Sequence, residues 1–372
     1  MNFPVSYKEI INRMESVNPV RYKDTRNFID GDVTYLSPYI ARGVISTRQV
    51  MQSVLERGFE FHKAEKLFQE LAWRDYWQQV WIAKGTGINR DLKQSQQDVA
   101  HFKMPAALVE GSTGIEAIDL ALADFFETGY LHNHLRLYIA ALACNMGKSH
   151  WYTPARWMYY HLLDGDWASN ALSWQWVAGS NSSKKYYANQ ENINRYCYST
   201  QLNTYLDTDY PALAKAPVPP SLKKLIDPGL TVKLPKQNEI AWDASRTILI
   251  YNSYNLDPTW RANENVNRIL LLEPSHFEQY PVSEKVLGFI LGLSKNISGI
   301  RVFVGEFGDL KKTLAPDKIR FKEHPLNKHY EGTSDARKWM FPVQGYYPSF
   351  FSYWKQCLKH IPMPEKTGSL FS

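Results

Sequence analysis

The sequence predicts two structural classes in series: a mainly α-helical unit over residues 1–208 and a small α/β unit over 241–372, joined by a proline-rich linker at 209–240. Three observations carry this. Apolar residues recur at helical spacing through most of 1–205. Six prolines (Pro211, Pro217, Pro219, Pro220, Pro228 and Pro235) crowd into 211–235, and after residue 240 short β-rich runs alternate with a helix-like stretch. A period near 3.6 marks amphipathic helices, whereas strands interleaved with helices mark a parallel sheet. A chain of 372 residues holds two such units at roughly 150 residues each.

Helices are predicted over 46–58, 63–83, 115–128, 130–147 and 155–163, with Gly, Pro and Ser-Thr punctuation between them. Ser37 followed by Pro38 has the form of a capped helix start, with Ser37 as N-cap and Pro38 at the first helical position. The prolines of 211–235 suit a linker or a wrapping segment. Thr247–Tyr251, Ile269–Leu272 and Arg301–Phe307 read as strands, with Val282–Ile297 as a helix between the last two. Ile319–Lys322 reads as a further strand and Ser349–His360 as a helix, the order of a Rossmann-like α/β unit. No glycine-rich phosphate fingerprint follows the first strand, so no dinucleotide site is expected there. The chain shows no internal repeat and no low-complexity tract.

Composition narrows the chemistry. Hydrophobic residues make up 44% and aromatic residues 14%, with 12 tryptophans and 23 tyrosines, enough for a packed core and for stacking surfaces. A net charge of +6 permits a polyanionic partner without demanding one. Cys144, Cys197 and Cys357 are far apart and form no CxxC pair, which argues against a disulfide framework and against a four-thiolate zinc or iron–sulfur site. There is no signal-peptide pattern and no run of about 18 apolar residues, so the expectation is a soluble, cytoplasmic protein.

Four groups of residues carry chemistry. In Asp164-Gly-Asp-Trp-Ala-Ser-Asn-Ala-Leu-Ser-Trp-Gln-Trp176, a helix would set Asp166, Asn170 and Trp174 at i, i+4 and i+8 on one face. An anionic acceptor, an amide and an oxidisable aromatic in a row suit a flat redox heterocycle; an amphipathic helix with two core tryptophans is the plain alternative. Glu70, Trp73, Arg74 and Trp77 fall at i, i+3, i+4 and i+7, a face suited to a flat, polar, π-rich ligand, although Glu70 and Arg74 also read as a simple helical ion pair. In Thr128–Arg136, His132 and His134 lack a third ligand at helical spacing, and Arg136 inside an apolar helix needs an anion, for which Asp164 stands out. Tyr22, Arg26, Thr34, Ser37 and Arg74 together offer hydroxyls and guanidinium groups for a phosphate, beside the N-terminus of a helix.

These stretches, in this order, resemble the helical FAD-binding domain of the photolyase/cryptochrome family over about residues 20–200. The quotable matches are Tyr35-Leu-Ser-Pro-Tyr-Ile with Gly43, Glu70-Leu-Ala-Trp-Arg-Asp-Tyr, Thr128-Gly-Tyr-Leu-His-Asn-His-Leu-Arg, Asp164-Gly-Asp and Trp174-Gln-Trp. The resemblance implies that Tyr22, Thr34, Ser37 and Arg74 hold the FAD diphosphate and ribityl region. Asp164 and Asp166 would bond the isoalloxazine edge, Arg136 would pair Asp164, and Asn170 would lie over the flavin N5. Glu70, Trp73, Asn133 and Trp176 would line the cavity for a flipped-out pyrimidine dimer. The (6-4)-type members carry histidines at the positions of Asn133 and Leu137, so cyclobutane dimers are the implied substrate.

Trp174 and Trp151 match the first two members of the family's electron-transfer chain. The third tryptophan of the chain is missing, with Asp98 nearest to its place; either Tyr152 or Trp157 ends the path, or photoreduction is slow. Tyr187-Ala-Asn-Gln-Glu-Asn-Ile-Asn-Arg-Tyr-Cys resembles the branch with iron–sulfur members, but three scattered cysteines do not supply a cluster. Family members begin with an α/β antenna-type domain, whereas here the α/β unit follows the helical one, like a shortened and permuted antenna domain; whether it binds an antenna chromophore is left open. The implied function is a flavin-dependent, blue-light-driven DNA repair lyase that splits cyclobutane pyrimidine dimers, acting as a monomer on dimer-containing DNA away from membranes. The alternatives are a cryptochrome-like photoreceptor that binds FAD without repair, and a descendant that keeps the fold alone.

Overall fold

Apolar periodicity becomes packed helices in the computed structural model, which describes residues 2–237, 242–243, 245–312 and 318–361. The helical unit opens with α1 (Tyr7–Glu15), α2 (Pro19–Thr25), α3 (Ser37–Ala41), α4 (Thr47–Glu56) and α5 (Phe61–Lys84). After a two-residue strand β1 (Met104–Pro105) come α6 (Ala106–Glu110), α7 (Glu116–Thr128), α8 (Asn133–Ala141), α9 (Tyr152–His161), α10 (Trp167–Ala178) and α11 (Gln190–Cys197). The stretch 130–147, predicted as one helix, is α8 followed by a π turn at Leu142–Met146. There the Asn145 amide donates to the carbonyls of Val177 and Tyr186.

The 24 residues of α5 contain no glycine or proline and bury positions almost all round the helix, because α2, α4 and α10 pack on different sides of it. The helix α3 begins at Ser37 with Leu36 as N-cap, so Ser37 is not the capping residue; its hydroxyl is turned to the Asp164 carboxylate instead. That carboxylate is a charged acceptor, which binds a hydroxyl more strongly than a neutral group does.

The proline-rich segment wraps. It forms α12 (Tyr210–Lys215), a 3₁₀ turn at Pro220–Leu222 and β2 (Leu225–Ile226), which pairs antiparallel with β1. Residues 238–241, where linker and α/β unit were expected to meet, and 362–372 lie outside the described residues.

The sheet is wholly parallel. Strands β3 (Ile248–Tyr251), β4 (Asn267–Leu272), β5 (Ile300–Val304), β6 (Ile319–Lys322) and β7 (Thr333–Asp335) run in the order β5-β4-β3-β6-β7, with Ile250 opposite Ile269 and Phe321. Helices α13 (Pro274–Gln279), α14 (Glu284–Ser294) and α15 (Phe307–Lys311) make the crossovers, and α16 (Phe350–Cys357) follows the last strand. One sheet face (Leu249, Tyr251, Leu270 and Leu272) joins the main core with α14; the other (Ile248, Ile250, Ile269 and Leu271) closes a second core with Phe307, Leu310 and Tyr330. Alternation along each strand produces this division. Strand β7 is short and polar, an edge strand without the apolar run that marks its neighbours.

The chain beyond β7 returns to the helical unit as a strap along α4 and α5. Arg48 Nε donates to the Trp339 carbonyl at 2.7 Å, and the Met340 N–H donates to the buried Asp75 carboxylate at 2.9 Å. Tyr76 Oη donates to the Tyr347 carbonyl at 3.2 Å. Met340, Phe341, Phe350, Tyr353 and Trp354 belong to the same core as α5. A second junction lies at Gly43, whose φ of +64° is left-handed and where a Cβ would meet the Tyr254 carbonyl oxygen at 2.3 Å.

Candidate functional site

The turn between α9 and α10 places two carboxylates in the interior. Asp164 has a side chain 1% exposed, and Arg136 spans it, donating through one guanidinium nitrogen at 3.0 and 2.9 Å. Arg74 of α5 stands 3.6 Å away, and Ser37 adds a hydrogen bond. Burial pushes the Asp164 carboxyl up, but Arg136 and Arg74 outweigh it and hold the group below its ordinary value. Arg136 is itself fixed by its Nε donating to the Leu131 carbonyl at 2.8 Å. The sequence stretches around Ser37, Arg74, Arg136 and Asp164 thus meet at one point.

Asp166 begins α10 as its N-cap: one oxygen accepts the Ser169 N–H at 2.7 Å. The other accepts from Gln78 Nε2 at 2.5 Å, and Gln78 Oε1 in turn accepts from Arg337 at 2.7 Å. Sequence reasoning missed Gln78 and Arg337. Gln78 was open to discovery as the next residue of the Glu70–Arg74 face; Arg337 lies in the strap and carries no local signal. Asn170 is buried, its amide donating to the Ala155 carbonyl at 2.8 Å. Arg74, Gln78 and Asp166 also face a cleft of about 100 Å³ whose far wall is Asn252, Asn255, Lys322 and His324, at the carboxyl ends of β3 and β6.

Glu70 is part-exposed between Lys66 at 2.9 Å and Arg26 at 3.7 Å. Tyr22 lies beside it, its hydroxyl pKa raised first by burial and then by the Glu70 charge. Thr34 accepts from the Leu36 N–H at 3.3 Å. Asn133 is exposed at the first position of α8, after His132, whose Nδ1 accepts the His134 N–H at 3.2 Å. Burial lowers the His132 pKa to about 4, and its Nε2 and the Arg26 Nε are buried without protein partners. Trp73 is half-buried, stacked on Phe350 with centroids 3.9 Å apart. Trp176 is 40% exposed and lies 5.7 Å from the Tyr186 ring.

Trp174 and Trp151 are buried, and the Trp151 indole N–H donates to Asp91 at 2.7 Å. The two expected ends of the electron path differ sharply. Tyr152 is half-buried and meets Trp151 edge-on at 5.5 Å, whereas Trp157 is buried among Phe125, Phe126 and His161. Among the described residues no group of three His, Cys, Asp or Glu side chains is placed to hold a metal, and the three cysteines are free and buried. No described helix is long and apolar enough to cross a membrane.

The donor set fits a flavin dinucleotide. The Arg74 guanidinium, the hydroxyls of Tyr22, Thr34 and Ser37, and the buried Arg26 Nε and His132 Nε2 that lack protein partners have the donor chemistry a diphosphate chain requires. Asp164 and Asp166 retain lone pairs for the N–H edge of a heterocycle.

Residues 67–212 match the FAD-binding domain of DNA photolyase. The chain is 27% identical over 208 residues to a deoxyribodipyrimidine photo-lyase of Alkalihalophilus pseudofirmus, covering 53% of this chain and 42% of that one. It is 34% identical over 166 residues to a deoxyribodipyrimidine photo-lyase of Thermus thermophilus, covering 43% and 38%. It thus spans about two fifths of the length of these relatives. A Synechocystis cryptochrome structure is similar at 23% identity with a TM-score of 0.48, over 53% of this chain and 44% of that one. Residues 67–212 thus carry a FAD-binding domain of the DNA photolyase family.

Proposed function

We propose that the chain is a flavin-dependent, blue-light-driven DNA lyase that splits cyclobutane pyrimidine dimers. The observation that carries this reading is Trp73, a tryptophan left half-open one turn from Glu70 on the buried helix α5. An aromatic face next to a carboxylate is what a base extruded from the duplex needs, one for stacking and one for its hydrogen-bonding edge. Trp176 and Asn133 supply the further exposed ring and amide.

When bound, FAD would supply the light-driven electron transfer that the cleavage needs, with no net oxidation. The chain does the rest. Arg74, Tyr22, Thr34 and Ser37 hold the diphosphate and ribityl region, and Asp164, oriented by Arg136, with Asp166 holds the ring edge. Asn170 would lie beside the flavin's reactive nitrogen, while Trp174 and Trp151 would carry electrons inward for its reduction. Glu70, Trp73, Asn133 and Trp176 take the dimer. Residues 1–208 bear these groups, and described residues of the α/β unit pack against them.

The test is blue-light repair of a thymine-dimer oligonucleotide by the purified chain, reduced beforehand, with its absorption spectrum recorded. Repair with a flavin spectrum is expected, and Glu70→Ala should lower repair while flavin content holds. A flavin spectrum without repair would assign a photoreceptor instead.

A further inference from the structure

Four aromatic rings follow one another in near-parallel orientation beside α5. Phe61 and Trp354 are 6.4 Å apart with 17° between planes, and Trp354 and Phe350 are 6.2 Å apart at 14°. Phe350 then lies on Trp73 at 3.9 Å and 11°. Two of the four come from α5 and two from α16. Tyr76 meets Trp73 and Phe350 edge-on, at 5.6 and 6.0 Å, and so wedges both rings in place. Phe350 is held from its own side as well: Ser349 caps α16 by accepting the Ser352 N–H at 3.2 Å.

The burial of the rings fixes the sense of the series. Phe350 is 2% exposed and Trp354 4%, whereas Trp73 is half-buried. A ring lying between Trp73 and solvent would be the more exposed of the two, and the reverse holds. Phe350 therefore covers an inner face of the indole, Trp77 stands against the same ring at 5.0 Å and 37°, and the remaining indole surface is part-exposed.

We propose that Phe350 is a positioning residue for base stacking: it holds the Trp73 indole in the plane on which an extruded pyrimidine adds as the next ring. This rests on the repair reading above. It adds that α16, and not the helical unit alone, builds the platform that receives the dimer. An indole free to change rotamer must be ordered when a base lands on it, and a ring already stacked from behind removes that cost.

The test uses the full chain with Phe350→Leu, which keeps apolar volume but has no ring plane, and Phe350→Tyr, which restores one. Dissociation constants are measured in the dark for an oligonucleotide with one thymine dimer and for its undamaged counterpart, alongside flavin content and the thermal midpoint. The leucine variant should bind the dimer about fivefold to tenfold more weakly, a fraction of a full base–aromatic stack. Undamaged DNA and flavin should bind as in wild type, and the tyrosine variant should recover the dimer preference. Wild-type dimer affinity in the leucine variant overturns the proposal. Tighter binding overturns it too, because Phe350 would then occupy the place of the base. An equal loss on undamaged DNA, or loss of flavin, would reduce Phe350 to a structural role and overturn it. Wild-type protein with no preference for the dimer would remove the repair reading itself, a failure distinct from the others.

Discussion

Replacing Arg136 with Met should expose how much the buried carboxylate at the centre of the site depends on its partner. The Asp164 side chain is 1% exposed and takes two charge-assisted bonds from Arg136, at 2.9 and 3.0 Å, with Arg74 more distant at 3.6 Å. Removing one member of a buried pair costs about 3–5 kcal/mol. Arg74 and Ser37 remain, so the loss at pH 7 should lie at the lower end, about 3 kcal/mol, or roughly two powers of ten in the unfolding equilibrium.

The pH dependence follows with a definite sign. In wild type the Asp164 pKa is depressed, so its contribution is present above the unfolded value near about 3.9 and is lost only as pH falls through the still lower folded value. In the variant, burial dominates and raises the pKa. Protonation then relieves the stranded charge, and the variant's deficit shrinks as pH is lowered from about 7 to about 5. Urea unfolding at both pH values, at equal flavin occupancy, measures this. A deficit under about 1 kcal/mol, or one identical at the two pH values, would refute the reasoning.

Asp75 titrates the opposite way. Burial raises its pKa to about 6, so its contribution is present below about 3.9 and lost as pH rises through about 6. Relative to Asp75→Asn, wild type should lose about 2 kcal/mol between pH 4 and 7 in urea unfolding, and a flat difference would contradict this. Gly43→Ala should lower stability by about 2 kcal/mol or more, since it combines a left-handed φ with a 2.3 Å approach to Tyr254; an unchanged calorimetric midpoint would deny the close junction. Tyr152→Phe should slow flavin photoreduction several-fold, followed by absorbance under blue light, whereas Trp157→Phe should leave it unchanged because the Trp157 ring packs on Phe125, Phe126 and His161. Equal effects of the two would remove Tyr152 as the end of the path.

Most helices were legible because their apolar period is local: 63–83 lies inside α5, 115–128 nearly coincides with α7, and Ser349–His360 contains α16. The face from Asp166 to Trp174 was legible for the same reason. Strand β7 was not, because Thr333–Asp335 is polar and takes its place at the sheet edge by pairing with β6. Nor was the strap. That Phe350 lies on Trp73 and Arg337 reaches Gln78 depends on where the chain goes after the sheet, and no spacing within either segment encodes it. The Ser37 cap failed by one residue, since a buried carboxylate from a distant turn claimed the hydroxyl that local rules assign to the helix end.

The strap has a consequence for the order in which the molecule assembles. Asp75 and Met340 are 265 residues apart, and Tyr76 and Tyr347 are 271 apart. At ribosomal rates of roughly 5–20 residues per second, α5 emerges tens of seconds before the segment that covers it. During that interval Trp73 and Tyr76 lack part of their cover, so the nascent helical unit presents apolar surface that chaperones can hold. Contacts of such sequence separation close late and slowly. The stacking platform of Trp73 is thus among the last features of the fold to form.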